Sequence, residues 1–154
     1  MESKLPPIEY YSKPLKIEKR KLCTIYHIKP RSKAVKPGRE LIVAYDERYP
    51  RVNGFKTRYA YFVRFLKKGN AAGNHYHEKK NELMIPVVGD LTIKLEDIET
   101  KKKETIIARA DKPVAVWVKP RIAHAVVAGK PSDIILVLAS TPSADDDEFP
   151  YQIR

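Results

Sequence analysis

His75, His77 and, five residues further on, Glu82 are residue types spaced for metal chemistry. In an extended strand residues two apart share a face, so His75 and His77 project side by side while Tyr76 points away. The polar stretch Glu78-Lys79-Lys80-Asn81 can turn the chain and bring the Glu82 carboxylate back beside them. His124, behind Pro120 on a separate hairpin, is the candidate fourth ligand, so three of the four histidines join one set and His27 stays outside it. Three ring nitrogens and one carboxylate suit a divalent transition metal (zinc, iron, manganese, nickel or copper) and do not suit calcium, which prefers oxygen throughout. With Cys23 as the only cysteine, an internal disulfide, a zinc finger and an iron–sulfur cluster are all excluded. Without a metal, the same side chains would form a polar pocket that binds or catalyses unaided.

The elements that must hold these ligands read as strands. Short segments rich in β-branched and aromatic residues, bounded by Gly, Pro, Asn or Asp, run from Leu22 to Ile28, Leu41 to Tyr45, Arg58 to Leu66 and Gly73 to His77. Further segments are Glu82 to Val88, Leu91 to Ile98, Glu104 to Ala108, Val114 to Val118, Ala123 to Val127 and Ile134 to Ala139. Nothing reads as a helix, and the spacing suits antiparallel pairing in a double-sheet barrel or jelly roll. Gly89-Asp90 is expected to make a tight hairpin, and Pro86, which cannot donate to a ladder, a local irregularity. The tail Asp145-Asp146-Asp147-Glu148 before Phe149, Pro150 and Tyr151 reads as an acidic turn and an aromatic plug without a catalytic arrangement.

Composition sets the outer limits. A chain of 154 residues with 43% hydrophobic content supports one folded domain, and no run approaches the roughly 20 apolar residues of a membrane span. The start Met-Glu-Ser-Lys-Leu-Pro-Pro lacks the apolar centre of a secretory signal, which gives a cytoplasmic expectation. Of the net charge of +11, residues 1–38 supply seven, with ten Lys or Arg against three Glu among several prolines. We read 1–38 as a basic arm and 39–154 as a single barrel domain with a short tail. That concentration, with no nucleic-acid motif beside it, argues against a nucleic-acid partner. Abundant Lys and Glu with one glutamine and two methionines fit a heat-adapted surface.

The motif resembles that of the cupin superfamily: glycine, five residues, His-X-His, three or four residues, Glu, six residues, glycine. Gly69, His75, His77, Glu82 and Gly89 match it throughout. The second cupin motif is looser here, since Pro120-Arg121-Ile122-Ala123-His124 has the proline and histidine but lacks the intervening glycine and the asparagine that often follows. The likeness covers about residues 39–140 and implies an all-β cupin double-stranded β-helix, with His75, His77, Glu82 and His124 holding a metal inside. The phrases Gly73-Asn74-His75-Tyr76-His77, Lys80-Asn81-Glu82 and Asp147-Glu148-Phe149 are most similar to the C-terminal cupin domain of capsular polysaccharide sugar-nucleotide epimerase/reductases. No glycine-rich cofactor fingerprint accompanies them, so a reductase activity would belong to another protein.

This resemblance implies a small-molecule substrate, a nucleotide-linked keto sugar, epimerised or isomerised beside its carbonyl, and a homodimer in which the N-terminal arm can cross to the partner. Tyr59 and Tyr61 are the candidate acid or base, against a plainer role in packing. Lys94 and Arg121 are the candidate phosphate contacts, although Lys94 between Ile93 and Leu95 alternates toward solvent. Trp117 reads as barrel filling. Two alternatives remain open on the same ligands: a metal-dependent dioxygenase, and a noncatalytic small-molecule or metal-binding cupin.

Overall fold

The computed structural model describes residues 12–30, 38–47 and 51–154. Eleven strands run in chain order: β1 Lys16–Lys19, β2 Cys23–His27, β3 Tyr59–Arg64, β4 Ala71–Tyr76, β5 Glu82–Val88, β6 Asp90–Asp97, β7 Lys103–Arg109, β8 Val114–Val118, β9 Ile122–Ala128, β10 Ile134–Ala139 and β11 Phe149–Pro150. They form a six-stranded sheet in the order β1-β2-β8-β5-β10-β3 and a five-stranded sheet in the order β11-β4-β9-β6-β7, with every pairing antiparallel. The expected all-β, two-sheet architecture is what the chain adopts. No helix among the described residues is long and apolar enough to cross a membrane.

Alternation builds the core between the sheets. Leu91, Ile93 and Leu95 of β6 face Met84 of β5, Val116 and Val118 of β8, and Ile135 and Val137 of β10, all buried. A second cluster lies outside the six-stranded sheet, where Leu83, Ile85, Ala115, Leu138 and Tyr26 meet Val52 and Phe55. The central strands β5 and β8 are therefore covered on both faces, which explains their continuous apolar sequence. Trp117 belongs to this outer layer, its indole N–H donating to Asn81 at 3.1 Å, and does not fill the barrel.

Part of the basic N-terminal stretch is barrel wall. β2 pairs with β8 along its whole length, and Cys23 and Ile25 enter the central core. Residues 1–11 and 31–37 of that stretch lie outside the described residues, and with them nearly half of the arm expected to cross to a partner. The strand expected over Leu41 to Tyr45 does not form beyond an isolated bridge at Leu41. Its carbonyls bond elsewhere: the Arg51 guanidinium donates to the Val43 and Ala44 oxygens, which satisfies them without a neighbouring strand.

Gly89-Asp90 is not a hairpin. β5 and β6 belong to different sheets, and the chain crosses between them at Gly89, whose φ of +82° few L-residues adopt. The fully buried Asp133 packs against it, one carboxylate oxygen accepting from the Gly129 and Lys130 amides at 2.9 and 3.0 Å. A Cβ at position 89 would run into that carboxylate. Pro86 sits where expected, at a register shift: Ile134 pairs with Val88 and Ile135 with Pro86, leaving Val87 as the bulged residue.

Gly89→Ala is expected to cost about 2–4 kcal/mol, combining positive φ with displacement of a buried carboxylate. Gly69→Ala, at a similar φ of +79° but facing open space, should cost about 1–2 kcal/mol. Urea unfolding of both variants measures the difference; equal losses would show that Asp133 does not restrain the crossing.

Candidate functional site

The four expected ligands converge from both sheets. The β4–β9 register sets His75 directly opposite His124, after a bulge between Gly73 and His75 in which Asn74 takes a φ of +58°. Gly73 makes that approach possible, because a Cβ there would sit 2.6 Å from the His124 carbonyl oxygen. His77 follows just beyond β4, and Glu82 enters from the first position of β5 in the opposite sheet. His77, Glu82 and His124 are buried at 3%, 2% and 4% exposure, and His75 is half-buried. The three imidazoles place one ring nitrogen each within 4.8 Å of one another.

Hydrogen bonds decide the tautomers. His77 Nδ1 lies 2.5 Å from the Asp147 carbonyl oxygen and His124 Nδ1 lies 3.2 Å from the Ile122 carbonyl oxygen. A carbonyl only accepts, so both Nδ1 atoms carry the proton. His75 Nδ1 faces the Glu148 carboxylate at 3.2 Å, another acceptor. All three Nε2 atoms then point inward: His75 and His124 Nε2 are 3.1 Å apart, and His124 Nε2 is 3.0 Å from Glu82 Oε2. His77 Nε2 lies 3.6 Å from Glu82 Oε1 and has no hydrogen-bond partner.

The acidic tail, read as inert, is part of this arrangement. A short 3-10 turn over Asp145–Asp147 places the buried Asp147 side chain beneath the 78–80 turn. Its carboxylate accepts from the amides of Glu78 and Lys79 at 2.8 and 3.1 Å through one oxygen and from Lys80 at 3.1 Å through the other. The tail is held in turn by β11 against β4, with Phe149 stacked on Tyr76 at 5.2 Å. The nearest sequence signal was the phrase Asp147-Glu148-Phe149; nothing local in it says that it closes over residues about 70 positions earlier.

A cavity of about 280 Å³ opens onto the cluster, at the small end of ligand pockets and suited to a group the size of a sugar ring. Tyr59 and Tyr61 line it, as expected, with the Tyr61 hydroxyl donating to Glu82 Oε1 at 3.4 Å. Burial first, and Glu82 second, hold the Tyr61 pKa well above the ordinary phenol value, so this hydroxyl is a proton donor at neutral pH. The two expected phosphate contacts are elsewhere. Lys94 is exposed on β6, on the face opposite Ile93 and Leu95, because strand parity sends it outward. Arg121 is exposed outside the barrel and engaged by Glu78 at 3.0 Å and Glu99 at 2.5 Å. Lys80, Glu148, Met84 and Ser143 line the cavity and were not singled out from the sequence.

Burial, followed by the neighbouring His124, lowers the His75 pKa to about 4, so the ring is neutral at physiological pH. For Glu82, burial opposes ionisation, but His124 and His77 outweigh it and the carboxyl stays ionised well below its usual range. His77 is raised, the Glu82 contacts overcoming burial. Between its unfolded value of 6.5 and its folded value of about 4, His75 binds a proton only in the unfolded chain, so its contribution to stability is lost as pH falls through that window. Glu82 extends the loss to lower pH, whereas His77 contributes below its unfolded value and loses that share as pH rises. With a chelator present, the melting midpoint should therefore fall between pH 6.5 and 4, and His75→Asn should flatten that slope. An unchanged slope in the variant would show that another group drives the acid sensitivity.

No curated protein matches the chain at the sequence level. Among solved structures, the barrel superposes on NovW, a 4-keto-6-deoxy sugar epimerase from Streptomyces spheroides, with a TM-score of 0.73 at 13% identity, covering 86% of this chain and 71% of that one. It superposes on QdtA, a sugar 3,4-ketoisomerase from Thermoanaerobacterium thermosaccharolyticum in complex with TDP, with a TM-score of 0.70 at 18% identity, covering 84% and 88%. A third likeness is to WlaRA, the TDP-fucose-3,4-ketoisomerase from Campylobacter jejuni, with a TM-score of 0.67 at 20% identity, covering 82% and 87%. At these identities the likeness establishes the fold, a cupin jelly roll. The family described as the polysaccharide biosynthesis C-terminal domain matches residues 52–148, which contain the whole His75, His77, Glu82 and His124 cluster, and the chain belongs to that family.

Proposed function

We propose that the protein is a metal-binding cupin that moves a proton beside the carbonyl of a nucleotide-linked keto sugar, as an isomerase or epimerase. The observation that carries the metal assignment is the proton inventory of the cluster. Two rings have their Nδ1 hydrogen committed outward, to the Asp147 and Ile122 carbonyls, and His75 Nδ1 faces the Glu148 carboxylate at 3.2 Å; this is the outer contact pattern that orients metal-binding imidazoles. The inward Nε2 atoms of His75 and His124 lie about 3 Å from each other and from the Glu82 carboxylate, a crowding that a cation between them relieves. His75, His77, His124 and Glu82 would hold the ion, and nitrogen with oxygen donors fits zinc, iron, manganese, nickel or copper. A bound ion of this kind supplies Lewis-acid stabilisation to a carbonyl oxygen that gains negative charge.

The chain's own residues supply the rest of the proton chemistry. Tyr61 remains protonated and can donate to a substrate oxygen, while Tyr59 stands at the mouth, its ring 5.4 Å from that of Tyr61. Glu148, half exposed and lining the cavity, has one oxygen on His75 and the other without a partner among the described residues, so it is the carboxylate open to a substrate proton. The apolar wall of Val63, Met84, Val126 and Ile135 limits water around that proton. The sugar-nucleotide assignment is supported by the family's place in polysaccharide biosynthesis and by three structural likenesses whose names state keto-sugar chemistry. One observation favours a metal-free variant: the His75–Glu148 contact is also the arrangement of a base with its orienting acid.

Protein purified without added metal should carry about one equivalent of a transition metal, and His75→Ala should lose it. In heavy water the loaded protein should place deuterium beside the carbonyl of TDP-4-keto-6-deoxyglucose or a related keto sugar nucleotide, with His75→Ala slower by about 100-fold or more. Chelated protein that stays folded and exchanges as fast as the loaded form would leave only the His75–Glu148 variant standing. Absence of exchange across a panel of keto sugar nucleotides would end both.

A further inference from the structure

We infer that the Lys80 ammonium receives an anionic oxygen of the ligand inside the cavity, at the sugar end rather than at the nucleotide diphosphate; the sugar assignment rests on the function proposed above. Lys80 is only 6% exposed, and lysines that deep are normally paired. Its ammonium nevertheless has no hydrogen bond or ion pair among the described residues. The cavity's carboxylates face the histidines instead, Glu82 lying 3.0 Å from His124 and 3.6 Å from His77, and Glu148 3.2 Å from His75. An ammonium on a cavity wall with no carboxylate bonded to it is free to meet an incoming negative oxygen, and such a charge-assisted contact is a strong one.

The backbone leaves the side chain little choice of direction. The Lys80 amide and the two before it are tied to the Asp147 carboxylate, and the turn they form directs Lys80 into the wall of the cavity it shares with His77 and Glu82. Among the described residues no other Lys or Arg lines this cavity, and the basic residues expected there, Lys94 and Arg121, are outside it. At 6% exposure Lys80 lies in the wall of a cavity that takes a sugar ring, which sets its ammonium nearer a group that enters fully than one left at the opening. When a base takes the proton beside the carbonyl, the C–H electron pair becomes the new C=C bond and the carbonyl π pair moves onto oxygen. That oxygen is the anion the ammonium meets, and reprotonation of carbon returns the pair.

Lys80→Met and Lys80→Arg, made in the full chain as purified, test this through melting midpoint, calorimetric binding of inorganic phosphate and of TDP, and deuterium uptake from heavy water. Lys80→Met should fold with a midpoint close to that of the unaltered protein, because the ammonium makes no hydrogen bond or ion pair among the described residues. Its affinity for phosphate should fall at least about tenfold, its affinity for TDP stay within about twofold, and its deuterium uptake drop by about 100- to 1,000-fold, with Lys80→Arg recovering part of each loss. A lowered midpoint with phosphate binding and uptake unchanged would make Lys80 structural and overturn the inference. A tenfold loss of TDP affinity with uptake unchanged would place the ammonium on the diphosphate and overturn the sugar-end assignment. If the unaltered protein exchanges no keto sugar while phosphate binding still depends on Lys80, the keto-sugar reading fails and the anion contact stands.

Discussion

Three imidazoles and a carboxylate are crowded together with their outward ring nitrogens already engaged. His77 donates to a backbone carbonyl of the tail and His124 to one of its own strand, while His75 Nδ1 faces Glu148 at 3.2 Å, so three inward ring nitrogens and the Glu82 oxygens must share one small space. Burial strengthens the repulsion, because little water is present to solvate the lone pairs. Burial and His124 hold His75 neutral down to about pH 4, so a proton on that ring does not relieve the crowding at neutral pH. A shared positive charge does, and the proposed metal provides it.

Much of the surrounding structure serves to keep that cluster from spreading. The bulge at Asn74 and the missing side chain at Gly73 allow β4 to lie close against β9, which sets His75 facing His124. Asp147 fastens three successive amides of the turn between His77 and Glu82, while its carbonyl orients the His77 ring. One residue of the tail therefore controls both the geometry of a ligand and the direction of Lys80. The tail is secured by stacking of Phe149 on Tyr76 and by Tyr151, whose hydroxyl donates to the buried Glu96 at 2.7 Å. The outward residues of β4 and β9 thus hold the cover that their inward residues need.

The strands carrying the site were legible because their signals are local. β5, β8 and β10 match the expected segments at both ends, since each is a dense apolar run ended by residues that break pairing. β1 and β11 were missed, as four mostly charged residues and a Phe-Pro pair have no strand pattern of their own and pair only because a neighbouring edge is available. The Gly89-Asp90 step misled for a related reason. A short polar break looks the same whether the chain doubles back in one sheet or crosses to the other, and Asp133, over 40 residues away, marks the difference.

By itself the sequence determined which four side chains would cluster and the strand-rich class. Residues two apart on a strand must share a face, and the His-X-His, Glu and distant His pattern needs only that parity and a turn. The same parity already turned Lys94 outward. Tertiary structure alone decided what surrounds the ligands: that Asp147 and Glu148 close over the histidines, that Arg121 is consumed by Glu78 and Glu99, and that Lys80 faces inward. Those outcomes depend on which distant segments meet when two sheets close on each other, and no short-range preference encodes such a meeting.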